Sequence, residues 1–265
     1  MSVICAGAAL WDVIAVAPKP APRGADQAGS VIRRPGGVAC NIALALRCEL
    51  VAVIGNDPDG QALSAAIGLP GLIVANGATD NYIAVEDPSG LVAAIASCDL
   101  LEREAHRVID RIAGEHTPVI LDGNLPGAAL ARLTANMPAD LRLVPASPSK
   151  TARLHPLIAA GAALYCNQIE GQAMTGHADP ADAARALCAQ GAAFAIVTDG
   201  PRPASFCRDS TVLTQMPPPA QGQITGAGDA FVAGHVRASL SGASDADALS
   251  AALQSAADHI NGISS

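Results

Sequence analysis

Aromatic side chains are nearly absent from this chain. One Trp, two Tyr and three Phe occur in 265 residues, too few for the stacking platform on which nucleic-acid bases are held. Clustered positive charge is missing too: 16 Lys and Arg stand singly against 24 Asp and Glu, for a net charge of −8 and an isoelectric point near 5.1. No basic stripe exists to neutralise a phosphate backbone, so no nucleic-acid partner is expected. No apolar run reaches the roughly eighteen residues of a membrane span, so no membrane partner is expected either. The seven cysteines (Cys5, Cys40, Cys48, Cys98, Cys166, Cys188, Cys207) are odd in number and include no CxxC pair. They read as reduced, buried thiols in a cytoplasmic protein. The six histidines show no ligand spacing, so bound zinc is not expected.

What is present is an apolar chain long enough to bury one large core. Its opening, Val3–Val16, lacks a basic leader and carries Trp11-Asp12 in its middle, which reads as a buried first strand and not as a secretory signal. Short apolar runs at Val3–Leu10, Leu50–Ile54, Val119–Asp122, Leu141–Pro145, Ala162–Cys166 and Ala193–Thr198 predict strands. Helical patterns fall at Val38–Arg47, Glu102–Gly114, Leu125–Met137, Pro180–Gln190, Gly226–Leu240 and Ala246–Ile260. This alternation implies an α/β fold with a parallel sheet covered on both faces, and a site beyond the carboxyl ends of its strands. Two stretches break the rhythm. Pro18–Arg34 is rich in Pro, Gly and charge, while Asp80–Val85 and Leu91–Ala96 flank the turn sequence Asp87-Pro88-Ser89-Gly90. They predict a small β flap, a lid built from segments near 13–34 and 80–97 on a single domain.

Thr225-Gly226-Ala227-Gly228-Asp229-Ala230-Phe231 puts small residues at a loop-to-helix junction. Glycines there let backbone N–H groups approach an anion, the helix start adds partial positive charge, and Asp229 could take a proton from an attacking hydroxyl. An Asp N-cap among flexible glycines is the structural alternative. Gly36-Gly37 entering a helix, with Asn41 one turn in, suits a polyhydroxylated ligand, or is only a turn and a satisfied helix residue. Asn167 and Glu170 are spaced either as a helix N-cap with its acidic partner or as groups around phosphate and metal.

The paired segments Gly36-Gly37 to Asn41 and Thr225 to Phe231, in this order and position, resemble the signatures of the PfkB, or ribokinase-like, carbohydrate kinase family. Asn167-Gln168-Ile169-Glu170, Val197-Thr198-Asp199-Gly200 and Gly7 to Asp12 resemble further family segments, so the likeness spans the chain. It implies a three-layer α/β/α ribokinase-like fold with a mostly parallel central sheet and lid, and ATP-dependent phosphorylation of a small-molecule hydroxyl. Carried over by position, Asp229 is the general base and Gly226, Ala227 and Gly228 the anion hole. Asp12, Gly36, Gly37 and Asn41 hold the acceptor, Thr198, Gly200 and Asn167 the nucleotide side. Glu170 and Asn167 organise Mg²⁺, largely through water.

The segments Arg33–Ala43, Tyr82–Ala96, Asp122–Pro126 and Pro145–Leu154 resemble those of the pseudouridine-kinase subgroup, which implies pseudouridine as acceptor. A sugar or another nucleoside is the alternative within the family, and a non-catalytic ligand-binding member the alternative outside catalysis. Three positions depart from the pattern. Leu10 replaces a frequent Asn, Cys40 a frequent Arg, and Gln223 an Asp that helps hold a monovalent cation, which leaves such a cation doubtful. The chain is also short near Arg47–Leu50 and Ala66–Gly77. Exposed flap edges would allow a homodimer.

Overall fold

The computed structural model describes residues 2–21, 24–222 and 224–263. The chain opens with β1 (Ile4–Gly7), β2 (Leu10–Val16), β3 (Ser30–Gly36), α1 (Val38–Leu46), β4 (Glu49–Gly55), α2 (Pro58–Ile67) and β5 (Ile73–Ala75). A hairpin of β6 (Asn81–Asp87) and β7 (Gly90–Ser97) leads to α3 (Asp99–Ile112), β8 (Val119–Asp122), α4 (Gly127–Leu133), β9 (Leu141–Val144) and α5 (His155–Ala159). There follow β10 (Ala163–Asn167), α6 (Gln168–Thr175), α7 (Pro180–Ala189), β11 (Ala195–Asp199), β12 (Arg202–Arg208), β13 (Thr211–Gln215), α8 (Ala227–Leu240) and α9 (Asp245–Ile260). Among the described residues no helix is long and apolar enough to cross a membrane.

Nine strands form the main sheet in the order β13-β12-β11-β10-β9-β8-β1-β4-β5. From β5 to β11 the neighbours run parallel, and β12 and β13 extend the sheet as an antiparallel hairpin. Successive strand residues point to opposite faces, and both faces are covered. Ile4, Ala6, Leu121 and Val197 join Val108 of α3, Leu130 of α4 and Leu187 of α7 in one core. Cys5, Ile120, Tyr165 and Ile196 join Ile42 of α1, Leu63 of α2, Val236 of α8 and Leu249 of α9 in the other. The three-layer arrangement expected from the sequence is therefore present, and burial on both sides explains why its strands are almost unbroken apolar runs.

The single strand expected over Val3–Leu10 is two strands in two sheets. β1 stops at Gly7, whose φ of +141° favours glycine. The fully buried Asp122 carboxylate occupies the space a β-carbon of Gly7 would need, and accepts the Ala8 N–H at 3.0 Å. The chain turns off the main sheet there, and β2 enters a four-stranded lid of order β3-β2-β6-β7. In the lid β2 runs antiparallel to β3 and parallel to β6, while Asp87 pairs with Gly90 across the predicted turn.

Other departures have local causes. The helix expected over Leu125–Met137 is shortened to α4 plus a 3-10 turn, Thr134–Asn136, because Pro126 occupies the N-cap position. Helix α2 went unread although its start is marked, with Asp57 accepting the Gly60 N–H at 2.8 Å and Pro58 at the first helical position. The β12–β13 hairpin and the short β5 also fell outside the expected elements.

Asp122 accepts two more amides, Ala39 N–H in the first turn of α1 at 3.1 Å and Asn124 N–H at 2.9 Å. Asp122→Ala leaves three buried donors unpaired and is expected to cost about 3 kcal/mol or more, measured by denaturant unfolding. Wild-type stability in this variant would show that the three amides find other partners.

Candidate active site

Helix α8 starts from Gly226, at φ +91°, and among the described residues no side chain caps it. Asp229 is thus not the N-cap that a bare Gly-Ala-Gly-Asp pattern also permits. It lies in the first turn, where its Oδ2 accepts from Asn41 Nδ2 at 2.7 Å. Asn41 is brought there by α1, which starts from Gly37 at φ +100°, and a β-carbon on Gly37 would collide with the Ala8 carbonyl. The two segments that the sequence pairs across most of the chain length therefore meet in one hydrogen bond. Burial above all pushes the Asp229 carboxyl up, the Asn41 bond opposes it and the nearby Asp122 and Asp12 carboxylates add to the rise, for a net value of about 7.

Asp229 and Gly228 border a cavity of about 180 Å³ together with Asn167, Glu170 and Thr198. Asn167 and Glu170 form the capping box of α6: Asn167 Oδ1 accepts the Glu170 N–H at 2.9 Å, and Glu170 Oε2 accepts the Asn167 N–H at 3.0 Å. The structural alternative for this pair is realised, and the same cap aims both residues at the cavity. Burial pushes the Glu170 carboxyl up, opposed by the Asn167 amide. Among the described residues no group of three or more His, Cys, Asp or Glu could enclose a metal ion. A fully protein-built cage is thereby excluded for them. A magnesium ion that keeps most of its water needs only one or two carboxylates beside substrate phosphates, and the buried Glu170 carboxylate, with one oxygen on a backbone amide, fits that role.

Thr198, one residue before the end of β11, is in register with Asn167. Gly200 lies beyond it in the β11–β12 turn, exposed at φ +57°, and is not among the residues bordering the cavity. A β-carbon on Gly228 would meet nothing, so no neighbour in the chain requires glycine there. The Ala227 N–H donates to the Ile224 carbonyl at 3.1 Å and is engaged in a turn.

On the lid, the Asp12 carboxylate lies against Gly36, where a β-carbon would overlap it. Burial pushes its carboxyl up and Arg34, 4.0 Å away, pulls it down. Cross-strand register places Asp12, Arg34 of β3 and Tyr82 of β6 on one lid face. Of the departing positions, Leu10 is buried at the start of β2 and Cys40 is buried in α1, while Gln223 lies outside the described residues. Sequence reading assigned no role to Asp122, Asn124 or Lys150, although it noted their segments. Asn124 Oδ1 accepts from Lys150 Nζ at 2.5 Å, tying the turn after β9 to the Asp122 corner.

The main sheet, its lid and the glycine-rich helix start define a ribokinase-like α/β fold. A ribokinase from Thermotoga maritima superposes with a TM-score of 0.82 at 17% identity, covering 98% of this chain and 93% of its own. The Arabidopsis thaliana ribokinase complexed with ribose and ATP gives 0.80 at 17% identity, covering 98% and 92%. A carbohydrate kinase from Agrobacterium tumefaciens gives 0.81 at 25% identity, covering 97% and 90%. No curated protein matches the chain. The chain belongs to the pfkB family of carbohydrate kinases, whose model matches residues 1–260.

The raised Asp229 carboxyl gives a test in stability alone. A carboxyl whose folded pKa lies above its unfolded value stabilises the fold while protonated, and that stabilisation is lost as pH rises through about 7. Between about pH 4 and pH 8 the wild type is expected to lose on the order of 4 kcal/mol relative to Asp229→Asn. Denaturant unfolding across this range checks it, and a difference that does not change with pH would refute the buried, costly charge.

Proposed function

We propose that the chain transfers the γ-phosphoryl group of ATP, with Mg²⁺, to the 5′-hydroxyl of a nucleoside, with pseudouridine the first candidate. The observation that carries the reading is the Asn41–Asp229 hydrogen bond, which seats a carboxylate with a pKa near 7 at the edge of a cavity shared with Asn167, Glu170 and Thr198. A base of that pKa is ionised often enough at neutral pH to act and basic enough to accept a hydroxyl proton. Asp229 takes the proton as the acceptor oxygen bonds to the γ-phosphorus and the bond from phosphorus to the ADP oxygen breaks. The Gly228 amide, joined by that of Ala227 once its contact to Ile224 is exchanged, donates to the transferring group alongside Gly226. Asp12 and Asn41 hold acceptor hydroxyls, and Thr198 faces the nucleotide. Glu170 and Asn167, with water, would hold Mg²⁺, which would supply positive charge to the phosphate oxygens.

Pseudouridine is supported by the convergence of four segments. Arg33–Ala43 spans the end of β3 and the start of α1, Tyr82–Ala96 is the lid hairpin, Asp122–Pro126 is the buried corner and Pro145–Leu154 carries Lys150. Hydrogen bonds from Ala39 and Asn124 to Asp122, and from Lys150 to Asn124, bring three of them to one end of the sheet. The fourth pairs through β6 with β2, setting Tyr82 opposite Asp12. A sugar acceptor is the second reading, favoured by the ribokinases that superpose on the chain.

An ADP-release assay with ATP and Mg²⁺ against pseudouridine, uridine, ribose, fructose and adenosine tests both. Preferred turnover of pseudouridine is expected, with kcat/KM falling as pH drops below about 7 because the base must be ionised. Asp229→Asn is expected to lower kcat by about 10²–10⁴ with little change in acceptor KM. Turnover of a sugar alone would sink the nucleoside assignment. Silence on every acceptor with retained ligand binding would favour the non-catalytic alternative.

The lid also supports a homodimer. Strand β7 is an edge strand exposed along its length, with Leu91 and Ile95 at 60% and 70% exposure, a combination that invites a partner strand. Sedimentation is expected to give the mass of two chains, and Ile95→Lys the mass of one. A monomeric wild type would overturn this pairing.

A further inference from the structure

The loop that feeds α8 is docked on the last turn of α9, outside the Asp229 cavity. His259 Nε2 lies 2.9 Å from the Thr225 carbonyl oxygen, and the Gln221 N–H donates to Asn261 Oδ1 at 3.0 Å. Gly222, at φ +153°, runs so close to the Ile260 carbonyl that a β-carbon would collide with it. A carbonyl oxygen only accepts, so the contact at Thr225 requires the proton on His259 Nε2.

The same imidazole bounds the space at Gly226. A β-carbon there would lie 2.9 Å from Nε2 and 3.1 Å from Cε1, so Gly226 takes its left-handed conformation against that edge of the ring. Gly226 sets the direction of the first turn of α8, and with it the Gly228 amide and the Asp229 carboxylate. Among the described residues no side chain caps this helix start; inside the loop the Ala227 N–H donates to Ile224. His259 itself is exposed and does not border the Asp229 cavity. It lines a separate groove of about 130 Å³ with Arg237 and Ser255.

We propose that His259 is a positioning residue for phosphoryl transfer: its Nε2–H holds the Thr225 carbonyl, keeps Gly226 left-handed, and so keeps the first-turn amides of α8 and Asp229 aimed at the acceptor. The proposal rests on the kinase reading of the site. It assigns His259 no contact with substrate, and it separates the N–H from the bulk of the ring, because an amide side chain at this position can also donate to the carbonyl.

The experiment compares wild type, His259→Ala and His259→Gln. Amide hydrogen exchange across residues 221–230 is followed without nucleotide, and kcat and both KM values are measured with the preferred acceptor. In His259→Ala, exchange over this segment is expected to quicken about tenfold and kcat to fall about tenfold, the equivalent of one hydrogen bond, with acceptor KM unchanged. His259→Gln is expected to restore both, and the melting temperature to stay near wild type in each variant. Unchanged exchange in His259→Ala overturns the brace, and faster exchange with unchanged kcat overturns its role in turnover. A glutamine variant that folds yet behaves like alanine overturns the assignment to the N–H. A wild type inactive on every acceptor refutes the kinase reading instead, and the exchange comparison still decides whether His259 holds the loop.

Discussion

Asp122, at the carboxyl end of β8, accepts hydrogen bonds from amides in three separate stretches of chain, at Ala8, Ala39 and Asn124. A carboxylate with no solvent exposure is tolerated only when its oxygens are satisfied in this way. The consequences spread outward from it. The Ala8 bond turns the chain from the main sheet into the lid and so places Asp12. The Ala39 bond holds the start of α1, from which Asn41 reaches Asp229. The Asn124 bond anchors the residue that receives Lys150. Both sides of the site hang from one buried anion.

Around that anchor the site gathers negative charge. The carboxyls of Asp229, Glu170 and Asp12 are all pushed up by burial, and among the described residues neither Lys nor Arg borders the Asp229 cavity. Such an arrangement lowers the stability of the fold, because each buried carboxylate gives up water. It also places Asp229 where a proton can be held or released near neutral pH. Stability and chemistry conflict at this position, as is common where charge is buried for use.

Much of this was legible from the residues. The apolar runs marked β4 and β8 to β11 because strands covered on both faces need no polar alternation, and the turn at Asp87–Gly90 marked the lid hairpin. Gly36-Gly37, Asn41, Gly226, Gly228 and Asp229 stood out because small residues at helix starts are unusual and recur in order. The break between β1 and β2 was not legible, since Ala8 and Ala9 are as apolar as the strand they interrupt; the interruption comes from Asp122, far along the chain. Asp122 itself was only the last residue of a predicted strand, and His259 only one of six histidines without ligand spacing, inside a predicted helix. Gly200 illustrates the converse: its motif drew attention, and the fold leaves it in a turn away from the cavity.

The sequence by itself determined the layered α/β architecture, the lid and the glycine-led helix starts, because periodicity, apolar runs and permitted φ values are properties of short stretches of chain. Only the tertiary structure decided where the strand leaves the sheet, which carboxylate is a cap and which a candidate base, and what braces the loop before α8. Those outcomes rest on hydrogen bonds between residues 83, 114 and 188 positions apart, and on the burial that raises a carboxyl's pKa. Both exist only once the sheet has brought distant segments to the same end.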